Sequence, residues 1–174
     1  MASTLALLEA VVKRLAGAFP HLAVELYPER PSEYRLNHPR GALLVGYVRS
    51  HYGAPVDTEI MAQERSVEVS VAVLMRGLHD GAGAVPTLDA VRQAVIGWKM
   101  PDCDKSRIVG DRFLDQSAGL WTYELTFSGR TLVLEDEEPD AGPILKHITT
   151  EDGFERTETI KHPDGSITYE EFPP

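Results

Sequence analysis

The sequence predicts an α+β fold, with a mainly antiparallel sheet packed against two helices and a C-terminal β-meander extension. Three observations lead to this prediction. Between Arg65 and Trp98, alternating valines are typical of a strand with one buried face, and a glycine loop and apolar residues at helical spacing follow. A segment near the N-terminus has the same helical spacing. Near the C-terminus, Asp-Gly pairs separate three short strand-like pieces, as in β-hairpins.

The first predicted element is a helix that begins after Ser3 and ends near Gly17. The Ser3 hydroxyl can accept a hydrogen bond from a backbone N–H of the first turn, and Phe19-Pro20 follows just beyond the expected end. Four apolar residues are expected to form the stripe that faces the core, namely Leu5, Leu8, Val12 and Leu15.

Two strands are predicted next. Residues 22–26 alternate as a short strand, and prolines at both ends of residues 28–40 predict a loop there. The apolar run at 42–48 is more continuous, which is typical of a central strand covered on both faces. Arg49 is expected to end this strand and start a polar connection.

The connection from Ser50 to Glu64 is long for a hairpin. It contains Gly53, Pro55 and few apolar residues, so it is interpreted as either a mobile arm or the tip of an extended hairpin. Four of its side chains, His51, Tyr52, Ile60 and Met61, are suited to a contact surface.

The valine strand is followed by the second predicted helix, which Pro86-Thr87 opens and which ends near Trp98, since Pro101 forbids much continuation. Its buried face is expected to hold Leu88, Val91, Val95 and Trp98. Strands are then predicted at 108–114 and 120–127, and the turn Ser117-Ala118-Gly119 should join them as an antiparallel hairpin.

Composition predicts three regions: a body over residues 1–134, an acidic linker over 135–143 and a β-meander extension over 144–174, with strands near 144–149, 154–160 and 166–172. The formal charge of −10 is concentrated beyond the body, because residues 135–174 hold 12 acids and three bases. Residues 1–134 hold 15 acids and 14 bases and are nearly neutral. The acidic extension is interpreted either as a solvated tail or as a binding segment for a basic partner.

Several function classes find no support in the residues. No apolar run approaches the roughly 20 residues of a membrane helix, and no signal peptide precedes the body, so a soluble, unexported protein is expected. Cys103 is the only cysteine, which excludes an internal disulfide and a multi-cysteine zinc site. Four arginines (Arg30, Arg35, Arg40 and Arg49) are spread through loops rather than interleaved with aromatics, so sequence-specific nucleic-acid binding is not expected.

Catalytic and cofactor motifs are also missing. The loop from Gly77 to Pro86 has no Gly-Lys pair for a P-loop, and Pro86 stands where a dinucleotide fingerprint needs its third glycine. The six histidines are scattered without metal-ligand spacing. Asp102 and Asp104 flank Cys103 and should raise the pKa of its thiol, which disfavours a nucleophile. We therefore expect that the protein has no enzymatic activity and binds no cofactor or metal ion.

Short sequence phrases in the body carry a family resemblance. They are the N-terminal helix ending in Phe19-Pro20, the strand 41–47, Gln63-Glu64-Arg65 before the valines, residues 87–92 with Gly97-Trp98, and residues 119–123. In their order and pattern, residues 1–130 resemble the tail terminator proteins of tailed bacteriophages, especially the Mu-type family of contractile-tail phages and related phage-like particles. Residues after about 134 depart from the compact family pattern.

The resemblance implies a structural virion protein, assembled in the host cytoplasm and located in the tail. Such a protein forms a homo-oligomeric ring, expected to be a hexamer, that caps the tail tube, ends its polymerisation and offers a joining surface to the head. Implied partners are further copies of the chain, the tail tube, the sheath and a head–tail connector protein, with no membrane. An acidic lining of the channel would let DNA slide by repulsion.

Candidate subunit or tube contacts lie on the long connection and on the loop after the valine strand. They are Arg49, His51, Tyr52, Ile60, Met61, Arg65, Arg76 and His79. Two alternatives remain open beside the tail terminator. One is a non-enzymatic adaptor whose acidic C-terminal extension binds a basic partner protein, and the other is an enzyme whose site is assembled from distant residues.

Overall fold

Two α-helices, one short 3-10 helix (Pro31–Glu33) and eight strands occupy the part of the chain that the computed structural model describes, which is residues 2–57, 61–135, 144–150, 156–161 and 167–172. The chain divides into two compact units, Met1–Glu135 and Asp136–Pro174. The elements of the first unit are α1 (Thr4–Ala18), β1 (Ala23–Leu26), β2 (Gly41–Asp57), β3 (Ala62–Met75), α2 (Ala84–Val95), β4 (Arg107–Ser117) and β5 (Leu120–Leu134). The α+β prediction is confirmed.

One five-stranded sheet, in the order β1-β2-β3-β5-β4, organises this unit. β1 runs parallel to β2, and every other neighbouring pair is antiparallel. β3 is the central strand, with β2 on one side and β5 on the other along its whole length, from Ala62 to Met75. A mainly antiparallel sheet was predicted, and the register confirms it.

The main core lies between one face of the sheet and the two helices. The alternating valines of β3 (Val67, Val69, Val71 and Val73) are fully buried there, which confirms the predicted strand and its inward face. The prediction of only one buried face was wrong, because Glu68, Ser70 and Ala72 on the other face are buried as well. In the antiparallel register Phe127 of β5 lies opposite Val69 and is also fully buried. Burial of these apolar side chains supplies most of the free energy that stabilises the unit.

The opposite face of the sheet has a smaller apolar cluster, formed by Ala42, Leu44 and Ala72. Tyr34 and Leu36, from the loop between β1 and β2, pack against it. The Tyr34 hydroxyl donates a 2.7 Å hydrogen bond to the Glu25 carboxylate. Burial is the main cause that raises the pKa of Tyr34, and this hydrogen bond raises it further. The inner half of β2 is therefore covered on both faces, as predicted for its apolar run.

The N-terminal helix begins as predicted, but its buried stripe differs. The Ser3 hydroxyl accepts a hydrogen bond from the Ala6 N–H (3.2 Å), as a helix N-cap does. The buried residues are Leu7, Val11 and Leu15. Of the predicted stripe, Leu15 is buried and Leu8 and Val12 are partly buried against the core, whereas Leu5 is 55% exposed and was wrong.

The second helix is shorter than predicted at its C-terminus. It begins at Ala84, slightly before Pro86, and ends at Val95 rather than near Trp98. Gly97 takes a positive φ of 70°, and its N–H donates to the Ser106 carbonyl, which turns the chain out of the helix. Leu88, Val91 and Val95 are buried as predicted; Trp98 packs against the core from outside the helix.

A tight turn joins β4 to β5, as the sequence predicts. Ala118 and Gly119, its two central residues, both have positive φ (50° and 76°), as type I′ hairpin turns require. Both strands are longer than predicted, and β5 continues seven residues past Phe127 to Leu134. β2 likewise does not end at Arg49 but continues to Asp57.

The second unit contains β6 (Ile144–Thr150), β7 (Arg156–Lys161) and β8 (Ile167–Phe172), which pair in that order as an antiparallel sheet. The predicted β-meander is confirmed. Its predicted Asp-Gly turns, and nearly all of the predicted acidic linker, lie outside the described residues. No helix among the described residues is long and apolar enough to cross a membrane.

Candidate assembly surface

Three adjacent strands of the first unit continue beyond the helices. The register pairs Asp57 of β2 with Ala62 of β3, and Ala62 with Leu134 of β5, so the three strands end close together. We call this part of the sheet the arm, and it comprises residues 48–57, 61–66 and 129–134. The connection that the sequence left as a mobile arm or a hairpin tip is thus an extended hairpin, supported by a third strand.

Arg65 marks the boundary between the helix-covered sheet and the arm. It is 7% exposed and follows the inward-facing alternation of the β3 valines. Its guanidinium donates to the Ser50 hydroxyl through Nε (2.9 Å) and to the Thr4 hydroxyl through Nη2 (2.7 Å). These bonds tie the first turn of α1 to β2 and β3, so this side chain fastens the arm to the body.

Large apolar side chains are exposed along the arm. Their exposed fractions lie between 44% and 69%, and they are Val48, Tyr52, Val56, Met61, Leu132 and Leu134. They come from all three strands of the arm and the turn between β2 and β3. A group of exposed apolar side chains on one projection is typical of a surface that another protein covers.

The arm also has open backbone edges. β1 pairs only with residues 42–45 of β2, and β4 pairs with β5 no further than Ser128. Beyond these limits, no further strand of the described residues pairs with the outer edges of β2 and β5. The Asp104 N–H does donate to the Arg130 carbonyl (2.8 Å), which closes the start of the β5 edge. Open edges can pair with a strand of another chain.

The face of the sheet without helices is polar where it meets the arm. Arg49 binds the Glu68 carboxylate with two hydrogen bonds, at 2.9 and 3.3 Å. Arg112 pairs with Glu124 at 2.8 Å across β4 and β5, and a cleft of about 330 Å³ lies between these two pairs. The carboxylates are largely buried while both guanidinium groups are exposed, so this face presents cations to solvent.

Most of the predicted contact residues come together on the arm. His51 and Tyr52 are exposed on β2, Met61 is exposed just before β3, and Arg49 lies where the arm begins. Arg65 also lies where the arm begins, but its side chain is buried. Ile60 lies outside the described residues.

Two predicted contact residues lie at the opposite end of β3. Arg76 is exposed and donates through Nε to the Pro39 carbonyl (3.2 Å), and His79 is exposed in the loop that follows. The structure therefore separates the predicted set into an arm group and a loop group. Sequence reasoning missed four further large apolar residues that are exposed on the arm, namely Val48, Val56, Leu132 and Leu134. The apolar triplet at 132–134 was the sequence signal from which the exposed residues of β5 could have been found.

The glycine loop before α2 uses its own backbone to satisfy the start of the helix. The N–H groups of Gly83, Ala84 and Val85 donate to the carbonyls of Asp80, Gly77 and Leu78, at 2.8 to 3.1 Å. A phosphate would need such N–H groups free. The loop therefore has the geometry of a closed turn before a helix.

Cys103 lies beside Gly129, where the arm leaves the body. Burial is the largest cause that raises the pKa of its thiol; Asp102 and Asp104 raise it further, and Arg65 opposes them. The predicted direction is confirmed, although burial rather than the two carboxylates is the first cause. Within the described residues, no group of three or more His, Cys, Asp or Glu side chains is placed to hold a metal ion.

Comparison with known proteins identifies a family. A search of curated protein sequences returns no match to this chain. A family model described as Gp37 protein matches residues 11–152, which includes nearly all of the first unit and the first strand of the second. The match spans most of the chain, which therefore belongs to the Gp37 protein family and is phage-related.

Proposed function

We propose that this protein is a phage tail terminator, a non-enzymatic structural protein that caps the tail tube as a homo-oligomeric ring. In this proposal the ring is a hexamer that ends tube polymerisation and offers the head–tail connector a joining surface. The protein is then a virion component that assembles in the host cytoplasm, and its partners are its own copies, the tube and the sheath.

Family membership and the resemblance of residues 1–130 to tail terminators support the phage setting. The observation that supports an assembly role most strongly is the arm. It combines six exposed apolar side chains with strand edges that no other described strand of the first unit pairs with. Burying such side chains against another copy would contribute about 25 cal/mol per Å² of apolar surface removed from water.

The direct test mixes the purified full chain with contractile-phage tail tubes and images the mixture by negative-stain electron microscopy. The proposal expects rings at one end of each tube, and tubes that stop growing once capped. A chain that stays monomeric in sedimentation velocity and leaves tube length unchanged would contradict it.

A matched pair of variants locates the contact. Met61→Asp places a charge on an arm residue that is 49% exposed, whereas Leu5→Asp places one on a helix residue that is 55% exposed. Because a charge cannot be buried in an apolar contact without a large cost, Met61→Asp should abolish capping and Leu5→Asp should leave it intact. Equal capping by both variants would place the contact away from the arm.

A second candidate function rests on the charge of the C-terminal region. Residues 135–174 hold 12 acids and three bases, so an adaptor that binds a basic partner protein through this region is the alternative. Neutralising the five acids at 135–138 and 140, to Gln or Asn, should then weaken partner binding and reduce its dependence on salt concentration. A tail terminator with the same changes should still cap tubes.

A further inference from the structure

An open groove runs between the two helices on the side away from the sheet, and nothing in the proposed function uses it. Its volume is about 920 Å³. Small side chains form much of its floor, including Ala10 and Ala18 of α1 and Ala94 of α2. Because these side chains are short, another backbone could approach the helices closely here.

One wall of the groove is fixed by Arg14. Its Nε donates to the Ala94 carbonyl (3.2 Å), and its guanidinium carbon lies 6.0 Å from the ring centre of Trp98. The hydrogen bond and the cation–π contact hold this side chain in place before any ligand binds. The groove therefore offers a positioned guanidinium next to a partly buried indole.

The charges around the groove all have one sign. Lys13, Arg14 and Lys99 line it, and no Asp or Glu does. Among the ion pairs of the described residues, none involves these three cations. In contrast, Arg49, Arg112 and Arg130 near the arm each have a carboxylate partner. In a nearly neutral body, this groove is a local concentration of positive charge without counter-charge.

We propose that the groove binds an acidic segment of a partner protein. Carboxylates of the segment pair with Lys13, Lys99 and the free side of Arg14, and its small or aromatic side chains pack on Trp98 and the alanine floor. The partner is a peptide rather than a nucleic acid, because a duplex needs an extended basic stripe and the other arginines named above are already paired. This inference stands independently of the tail terminator proposal.

The test is fluorescence anisotropy with the full chain and a labelled peptide of alternating Glu and Ala. The chain carries a formal charge of −10, so long-range repulsion opposes non-specific binding of this acidic probe. Saturable binding that is lost when Gln replaces Glu in the peptide is expected. The double variant Lys13→Glu/Lys99→Glu should weaken binding by at least about tenfold, which corresponds to 1.4 kcal/mol.

Two further variants separate the groove from general charge effects. Ala18→Leu narrows the floor without changing charge and should weaken binding, with circular dichroism confirming the fold. Arg35→Glu changes the charge by the same amount per residue at an exposed position outside the groove, and should leave binding unchanged. Equal weakening by Arg35→Glu would overturn the proposal. Tighter binding of an oligothymidine, lost in the Lys13→Glu/Lys99→Glu variant, would also overturn it and assign the groove to phosphates.

Discussion

The same three strands, β2, β3 and β5, have opposite roles at their two ends. At the inner end Val71 of β3 lies between Val45 and Leu125, and all three are fully buried under the helices. At the outer end Glu64 lies beside Leu132, in the arm, where most side chains contact solvent. The β3–β5 ladder is continuous through both ends, whereas the β2–β3 ladder has register shifts after Tyr47, after Tyr52 and after Pro55. What differs is the layer above it, so one sheet supplies both the stable body and the proposed assembly surface.

The largest expected effect compares two apolar residues of β5. Phe127→Ala removes a fully buried ring and should lower the free energy of unfolding by about 3–5 kcal/mol, because a cavity is left in the core. Leu132→Ala, at a residue 47% exposed, should change it by less than about 1 kcal/mol. Urea unfolding followed by circular dichroism measures both. Similar losses would mean that the arm is packed as tightly as the body.

A smaller effect is expected at the boundary between the two ends. Arg65→Ala removes two hydrogen bonds, to Ser50 and Thr4, and should cost about 1–3 kcal/mol, because charged hydrogen bonds at a buried site are lost. Arg130→Ala is the control, since this side chain is 55% exposed and its ion pairs should contribute less than about 1 kcal/mol. If Arg65→Ala were as mild as its control, Arg65 would not fasten the arm to the body.

The smallest effect concerns Cys103, at the same boundary. Because its thiol pKa is raised, the folded protein keeps the thiol protonated to a higher pH than the unfolded chain does. Alkylation by iodoacetamide should therefore be slower in the folded protein than in urea at pH near 8.5, the ordinary cysteine pKa. This thiol should also make stability decline as the pH rises through that value, because the unfolded chain binds fewer protons there. Equal alkylation rates in both states would contradict an elevated pKa.

The inner end of the sheet could be predicted from sequence because its buried positions must be apolar, which gives the strands a recognisable pattern. The alternating valines of β3 and the apolar run of β2 both face a core, and both were located correctly. The arm could not be predicted in this way. Where both faces of a strand are exposed, as in β2 after Arg49, no buried face imposes an alternation of apolar and polar residues, and the period disappears. This is why β2 and β5 were both predicted too short.

The helices show a second limit. α1 has apolar residues on most of its circumference, so periodicity allowed a stripe through Leu5 and Leu8 as readily as the observed one through Leu7 and Val11. The sheet, which sequence spacing does not locate, decides between them. The groove was invisible for the same reason, since Arg14 and Trp98 meet only when the two helices pack side by side.

Hydrogen–deuterium exchange of the full chain, alone and bound to tail tubes, tests the central claim that the arm is the assembly surface. Within residues 51–57 and 130–134, the amides that do not bond to β3 should exchange rapidly in the free chain and become protected in the capped tube. Amides in residues 42–45, which already lie inside the sheet, should not change. Capping that leaves exchange in the arm unaltered would contradict the account.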